Sequence, residues 1–258
     1  MPITLERNGP IAELIFAHPP VNAFDTKLWA IIADLLTEAG SDPTIHCVLI
    51  RAEGRGFCGG VDIKEMQAHP ERIVELNRHN YRTAHAVRAC PIPVISALHG
   101  FVIGGGVNIA GASDALIAAD DAYFSLPEID RGAMGGASYM LRMFPIHMVR
   151  TAFFTGGRVS AADAYRVGAI HQLHPAADLQ AAARALATTI ASKSRTALTL
   201  AKQALNGIEP RDADHGYRFE QGFTLEMYMH PDSQKARDQF IEQKKVRPRA
   251  LPLDPAGA

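Results

Sequence analysis

Short, dense runs of apolar residues recur along the chain and predict buried β-strands. Two of them, Ile3–Leu5 and Ile11–Phe16, are separated by Asn8-Gly9-Pro10, whose turn-forming residues predict a β-hairpin. The other runs occur singly: Cys47–Arg51, Val94–Leu98, Phe101–Ile103, Ala115–Ala118 and Tyr123–Ser125. Strands are therefore expected throughout the first half of the chain rather than in one block.

Between these runs, apolar residues recur at helical spacing. In Thr26–Ala39 the apolar positions follow a helical period, Asp25 is a candidate N-cap and Gly40 a candidate stop. Further helices are predicted at the following places: from Asp62, over Glu71–Ala89, from Gly104 to Ala112, over Met140–Arg150, over Ala161–Val167, and from Leu179 to Lys245 with breaks near Gly207 and Pro210. Alternating strands and helices with an all-helical end indicate an α/β fold with a helical C-terminal segment. We expect a core at residues 1–195 and that segment at residues 196–258, with the proline-containing tail Pro248–Ala258 frayed.

Composition and charge narrow the class of protein. The 258 residues are 47% hydrophobic and 21% charged, with a formal net charge of −1, which argues against a nucleic-acid binder held by bulk electrostatics. No basic-then-apolar leader and no apolar run of about 18 residues occurs, so neither secretion nor membrane insertion is expected. Three widely spaced cysteines favour a reducing, cytoplasmic compartment, and no Cys/His cluster suggests a metal.

Two glycine-rich turns each follow a strand and open a helix. They are Phe57–Asp62 and Gly100–Asn108. Glycines allow close approach to the main chain, and the free N–H groups at a helix N-terminus carry partial positive charge. Two such amides that converge on one point form an oxyanion hole, although each turn taken alone also fits a simple tight corner.

A third segment, Leu126–Gly132, carries a candidate acid/base. Glu128 directly follows a proline, between a predicted strand and a glycine-rich stretch. A carboxylate held there could transfer protons, although taken alone it also fits an ordinary surface turn.

Together, these three segments resemble the enoyl-CoA hydratase/isomerase (crotonase) superfamily. Phe57–Met66 is similar to the family motif F-C-A-G-A-D-I-K-E-M, and His99–Ala110 to N-G-x-x-x-G-G-G-x-E-L-A. Phe124–Gly132 is similar to F-x-x-P-E-x-x-x-G. The likeness extends from Pro19–Phe24 to the region of Phe240–Lys244, in the family's order and spacing.

The resemblance implies a spiral of ββα units that binds an acyl-CoA thioester. By motif position, the oxyanion amides fall on Val61 and Gly105. Residues expected to contact the substrate are Gly59, Gly60, Asp62, Ile63, Gly104, Arg131, Gly132 and Tyr139, with Lys27, Arg55, Lys64, Lys244 and Lys245 as basic candidates for contacting CoA. The family likeness further implies a homotrimer or homohexamer, a C-terminal segment that serves in oligomerisation and as a lid, and no cofactor beyond the substrate's own CoA.

One departure from the hydratase pattern of the family affects which reaction is expected. Hydratases of the family use two glutamates, and this chain keeps Glu128 but has Asn108 at the other position. Asn108 can hold water but cannot take up a proton near neutral pH. With Glu128 as the single acid/base carboxylate, the resemblance leaves three reactions open: hydration of an enoyl-CoA, isomerisation, and hydrolytic retro-Claisen opening of a cyclic β-keto acyl-CoA as in steroid breakdown. Arg51–Phe57, Leu126–Gly132 and Glu220–Thr224 most resemble that ring-opening branch. A non-catalytic or RNA-binding relative is the alternative from another class.

Overall fold

A computed structural model of the chain describes residues 1–210 and 212–246, with side chains up to Glu242. The expectations for the tail Pro248–Ala258 and for the side chains of Lys244 and Lys245 lie outside the described residues. The architecture is a mixed α/β spiral in which pairs of strands from two layers alternate with helices.

The first layer is a six-stranded sheet. Its strands are β1 (Ile3–Asn8), β2 (Ile11–Phe16), β4 (Cys47–Ala52), β6 (Val94–Leu98), β8 (Ala115–Ala119) and β11 (Gln172–His174), and they lie side by side in that order. Strands β1 and β2 form the predicted antiparallel hairpin, and every later pair in this sheet is parallel. Strands β2, β6 and β4 are almost continuously apolar because both faces of a parallel sheet are covered.

The second layer consists of short strands that follow those of the first. These are β3 (Ala23–Phe24), β5 (Gly60–Val61), β7 (Phe101–Ile103), β9 (Tyr123–Ser125) and β10 (Arg158–Ser160). Strand β3 pairs with β5, and the order β10-β9-β7 forms the other small sheet. An isolated parallel bridge pairs Cys58, two residues before β5, with Val102 of β7. Strands β3, β5, β10 and β11, each two or three residues long, were not predicted.

The helices cover both layers. Those before residue 195 are α1 (Thr26–Ser41), α2 (Ile63–Ala68), α3 (Ile73–Ala89), α4 (Gly105–Ala112), α5 (Ala137–Met143), α6 (Ile146–Thr155), α7 (Ala161–Arg166) and α8 (Leu179–Ala191). Asp25 caps α1 as predicted, accepting a hydrogen bond from the Leu28 N–H at 2.8 Å. The single helix predicted over Met140–Arg150 is wrong. Pro145 cannot continue a helix, and Phe144 before it is extended, so the chain forms α5 and α6 instead.

The C-terminal segment comprises α9 (Arg195–Ile208), α10 (Ala213–Met229) and α11 (Pro231–Val246). The all-helical end is thus confirmed over the described residues. Helix α9 is joined to the core by Lys202, which is buried and whose Nζ lies 2.7 Å from Asp114 Oδ2. The same ammonium donates to two backbone carbonyl groups of the core, so its three protons are all satisfied. Among the described residues, no helix has the length and apolarity that crossing a bilayer requires.

Candidate active site

A cavity of about 110 Å³ lies where the two glycine-rich turns meet the C-terminal helices. Seven residues predicted for the site line it: Val61, Ile63, Gly104, Gly105, Asn108, Glu128 and Arg131. Its volume is near that of cavities that hold a single six-membered carbon ring, about 150 Å³. The cavity is therefore suited to the acyl part of a ligand rather than to a nucleotide.

The first wall comes from β5. Asp62 donates its N–H to the Phe24 carbonyl at 2.9 Å, and β5 pairs in parallel with β3. Successive N–H groups of a strand point to opposite sides, so the N–H of Val61 points away from β3, toward the cavity that Val61 lines. Gly60 supports this turn with a φ of +86°, a conformation that glycine adopts without steric cost.

The second wall is the N-terminus of α4, whose residues are all buried. Gly105 is the first residue of this helix, so its N–H has no partner within the helix. A Cβ atom added to Gly60 would lie 3.7 Å from the Gly105 nitrogen, so the two turns are in close contact. The positive end of the helix dipole therefore lies beside β5, and the Val61 and Gly105 amides both face one cavity.

Glu128 lies in a 3-10 helix, Pro127–Arg131, and lines the same cavity. A Cβ atom added to Gly104 would lie only 2.5 Å from Glu128 Oε1, so the carboxyl group rests directly against the turn before α4. Glu128 Oε2 is buried and has no hydrogen-bond partner among the described residues. Burial raises the pKa of Glu128 to about 7, although the nearby positive charge of Arg131 acts to lower it.

Asn108 lies one turn into α4 and is buried. Its Nδ2 donates to the Tyr217 hydroxyl at 2.8 Å, while Oδ1 is buried and lacks a partner among the described residues. A free amide oxygen beside the cavity can accept a hydrogen bond from water or from a ligand hydroxyl. It cannot serve as a base at neutral pH.

The residues predicted to contact substrate lie in different places around the cavity. Ile63, Gly104 and Arg131 line the cavity, and Asp62 and Ile63 line an outer groove that also contains Lys64. Gly59, Gly60 and Gly132 are not in the cavity lining but shape the turns beside it, and Gly132 adopts φ +68° against Ser233. Tyr139, predicted to line the acyl pocket, instead lies one layer behind the wall. Its ring packs edge-on against Tyr217, and its hydroxyl donates to Asp214 at 2.5 Å.

Several residues of the cavity were not predicted. They come from α3 and from the C-terminal helices, and include Asn77, Asn80, Tyr217, Thr224, Tyr228 and Arg237. The signal for α10 was present, because Tyr217, Gln221, Thr224 and Tyr228 recur at helical spacing and form a buried stripe of polar and aromatic side chains. No comparable pattern marks Asn77 or Arg237.

This arrangement combines two backbone donors with one carboxylic acid whose pKa is near neutrality. Donors that are fixed before reaction stabilise negative charge developing on an oxygen, such as that of a thioester enolate. A carboxyl group with a pKa of about 7 can both accept and return a proton near neutral pH. Over the described part of the chain, no group of three His, Cys, Asp or Glu side chains is arranged to hold a metal ion.

Similar proteins are known over nearly the whole length of the chain. The sequence model of the enoyl-CoA hydratase/isomerase family matches residues 6–248. A protein of Rhodococcus jostii (strain RHA1), named (7aS)-7a-methyl-1,5-dioxo-2,3,5,6,7,7a-hexahydro-1H-indene-carboxyl-CoA hydrolase, is 42% identical over 250 residues, covering 96% of this chain and 97% of its own. A Mycobacterium tuberculosis protein of the same name is 40% identical over 246 residues, covering 94% of this chain and 100% of its own.

Solved structures agree on the fold. An enoyl-CoA hydratase/isomerase from Xanthobacter autotrophicus Py2 superimposes with a TM-score of 0.85 at 24% sequence identity. The superposition covers 97% of this chain and 99% of the other.

Proposed function

Because this chain belongs to the enoyl-CoA hydratase/isomerase family, we propose that it hydrolyses a carbon–carbon bond of a cyclic β-keto acyl-CoA and so opens the ring. The observation that carries the proposal is that Glu128 is the one carboxylic acid among the described residues lining the cavity. It faces the two amides, and an amide side chain, Asn108, stands where hydratases of the family have a second glutamate. Two relatives at 40% and 42% identity are named as hydrolases of a bicyclic diketo acyl-CoA.

In the first step, Glu128 acts as a general base on a water molecule. The water oxygen attacks the ring ketone, and its proton passes to the carboxylate. Asn108 Oδ1, which is buried and lacks a partner among the described residues, is placed to accept a hydrogen bond that orients this water. The result is a tetrahedral adduct next to the carbon that bears the thioester.

In the second step, the bond between the adduct and the α-carbon breaks. Its electron pair passes to the thioester, which becomes an enolate whose oxygen accepts hydrogen bonds from the Val61 and Gly105 amides. Glu128 returns its proton to the α-carbon. The product has gained one water, keeps CoA and carries a new carboxylic acid, which ionises in solution.

The outer groove beside the cavity supports binding of the CoA part of the substrate. Ile63 lines both the cavity and the groove that contains Asp62 and Lys64, so the two spaces adjoin. The C-terminal helices supply the opposite wall, which supports a lid role for residues 196–258. The reaction uses no cofactor beyond the CoA that the substrate carries, and three free, buried cysteines support a reducing, cytoplasmic location.

Mass spectrometry in heavy-oxygen water tests the proposal. A cyclohexanone-carboxyl-CoA with its ketone beside the thioester-bearing carbon is the simplest probe, and the indene-carboxyl-CoA of the named relatives is the second. Ring opening adds one labelled water while the product retains CoA. Release of free CoA instead indicates thioester hydrolysis, and an enoyl probe that changes its double bond without a mass change indicates isomerisation. Either result without ring opening contradicts the proposal.

The pH dependence follows from the raised pKa of Glu128. The base must be ionised, so kcat/KM for the ring-opening substrate is expected to rise with pH up to about 7 and to level off above it. Steady-state rates measured between about pH 5 and about pH 9 in one buffer series test this rise in kcat/KM. A rate that is flat down to about pH 5 shows that Glu128 ionises at its ordinary pKa, or is not the base.

The exposed apolar side chains of the C-terminal segment support a homotrimer or homohexamer. Large ones lie on α9 and α10: Leu200, Leu205, Ile208, Phe219, Phe223 and Met229. Apolar surface of this kind on a folded chain is typical of an interface. Sedimentation equilibrium is expected to give a trimer or its dimer, and Ile208→Glu, at 77% exposure, to shift the mass toward the monomer. A monomeric wild type contradicts this.

A further inference from the structure

Arg237 of α11 is a buried cation in the wall of the active-site cavity. It lines the cavity although it is only 5% exposed. Its guanidinium donates to the Ser233 hydroxyl and to Gln234 Oε1, and its Nε is buried without a hydrogen-bond partner among the described residues. No described carboxylate forms a salt bridge with it. Its charge is therefore not neutralised by the part of the chain that the structure describes.

Burial of an unpaired charge is costly, and buried cations normally pair with an anion. A second arginine, Arg131, lines the same cavity and adds to its positive charge. Burial lowers the pKa of Arg131, whereas the nearby negative charge of Glu128 acts to raise it. Glu128 is the one described carboxylic acid of the lining, and it faces the amides of the α4 turn. The missing negative charge is thus one that a ligand can supply.

The surroundings of Arg237 hold its guanidinium in place. Its Cζ lies 4.0 Å from the centre of the Tyr228 ring, a cation–π contact. The Ser233 hydroxyl that accepts from Arg237 donates in turn to the Gly132 carbonyl, next to Arg131. The planar fork is therefore oriented before any ligand binds, which suits it to hold a carboxylate.

A second unpartnered donor lines the same cavity from the opposite element. Asn77 of α3 has a buried Nδ2 with no hydrogen-bond partner among the described residues. Its backbone carbonyl accepts from Gln221 Nε2 at 2.6 Å, which fixes α3 against α10. Arg237 and Asn77 thus both bring unpartnered donors to one small space.

We propose that Arg237, assisted by Asn77, forms a subsite for a carboxylate carried on the acyl part of a CoA thioester. This assignment rests on the proposed function: the carboxylate is the one formed when the ring opens, so the subsite binds the open-chain product. The preferred ligands of the subsite are then acyl-CoA thioesters whose acyl chain ends in a second carboxylate.

Calorimetric binding of two matched thioesters tests this without turnover. Pimeloyl-CoA, the ring-opened product of the cyclohexanone-carboxyl-CoA probe, ends in a carboxylate, and heptanoyl-CoA ends in a methyl group. Wild type is expected to bind pimeloyl-CoA about 10- to 100-fold more tightly. Arg237→Gln is expected to remove that preference and Arg237→Lys to retain part of it. Lys235→Gln, which removes an exposed charge from the same helix, is the control and should retain it fully.

Free CoA serves as the reference ligand. Its affinity should not change between wild type and Arg237→Gln, and an equal loss for free CoA would assign Arg237 to the CoA moiety and overturn the proposal. Equal affinity for the two thioesters in wild type also overturns it. If Arg237→Gln does not fold, Asn77→Asp tests the same subsite, since a carboxylate there should repel pimeloyl-CoA and lower the preference. A preference for pimeloyl-CoA without any ring opening upholds the subsite and refutes the proposed function.

Discussion

Glu128→Gln is expected to lower the rate of ring opening by about 10³- to 10⁴-fold, the upper part of the range for loss of a general acid–base group. Glutamine keeps the shape of the side chain and can still fill the space beside Gly104. It cannot take a proton from water or return one to the α-carbon. The exchange of α-protons of heptanoyl-CoA for deuterium, followed by mass spectrometry, should fall by a similar factor because it uses the same base.

Binding and folding should survive this change. Glu128 Oε2 has no described hydrogen-bond partner to lose, so the affinity for a saturated acyl-CoA should stay within about threefold of wild type. Glu226→Gln removes an exposed carboxylate from α10 and should leave all three measurements unaltered. Turnover of Glu128→Gln at the wild-type rate would remove this carboxylate from the mechanism.

Gly104→Ala is expected to cost about 10²- to 10³-fold in the same exchange reaction, comparable to the loss of an oxyanion donor. The added methyl group would lie 2.5 Å from Glu128 Oε1, and Gly104 has φ +56°, which alanine adopts only with strain. Both effects displace the carboxyl group or turn the N-terminus of α4 away from β5. The loss should appear mainly in kcat, since the outer groove is untouched.

The control for this variant is a glycine far from the site in the sequence. Gly207 of α9 has no atom within 4 Å of an added Cβ, so Gly207→Ala should leave activity unchanged. The double variant Gly104→Ala/Glu128→Gln should be barely slower than Glu128→Gln alone, because both changes act on one contact. If the loss of rate in the double variant equals the product of the two single losses, Gly104 acts independently of Glu128.

The elements that could be predicted are those whose signals lie close together in the sequence. The hairpin, the Asp25 cap and the opening of α4 at the glycines each follow from residues a few positions apart. The two-residue strands of the second layer could not be predicted, because they exist only through pairing with distant partners. Pro145 indicated a break between α5 and α6, but the helical spacing of the apolar residues around it predicted one continuous helix.

The site was predictable in its backbone and less so in its side chains. The glycine-rich turns and Glu128 lie in contiguous motifs, and the cavity brings Val61, Gly105 and Glu128 together. Arg237 lies far from Glu128 in the sequence and outside the glycine-rich and Glu128 motifs, so only tertiary packing places it in the cavity. Tyr139 was close to Glu128 in sequence, yet a helix turns its side chain into the layer behind.

A crystal structure of the Glu128→Gln variant with acetoacetyl-CoA, a small β-keto thioester, measures the central geometry directly. The thioester oxygen should lie about 2.7–3.1 Å from both the Val61 and the Gly105 nitrogens. The keto carbon should face the substituted side chain at position 128. A thioester carbonyl that binds away from these two nitrogens, with the acyl group outside the cavity, would contradict the chemistry proposed for this chain.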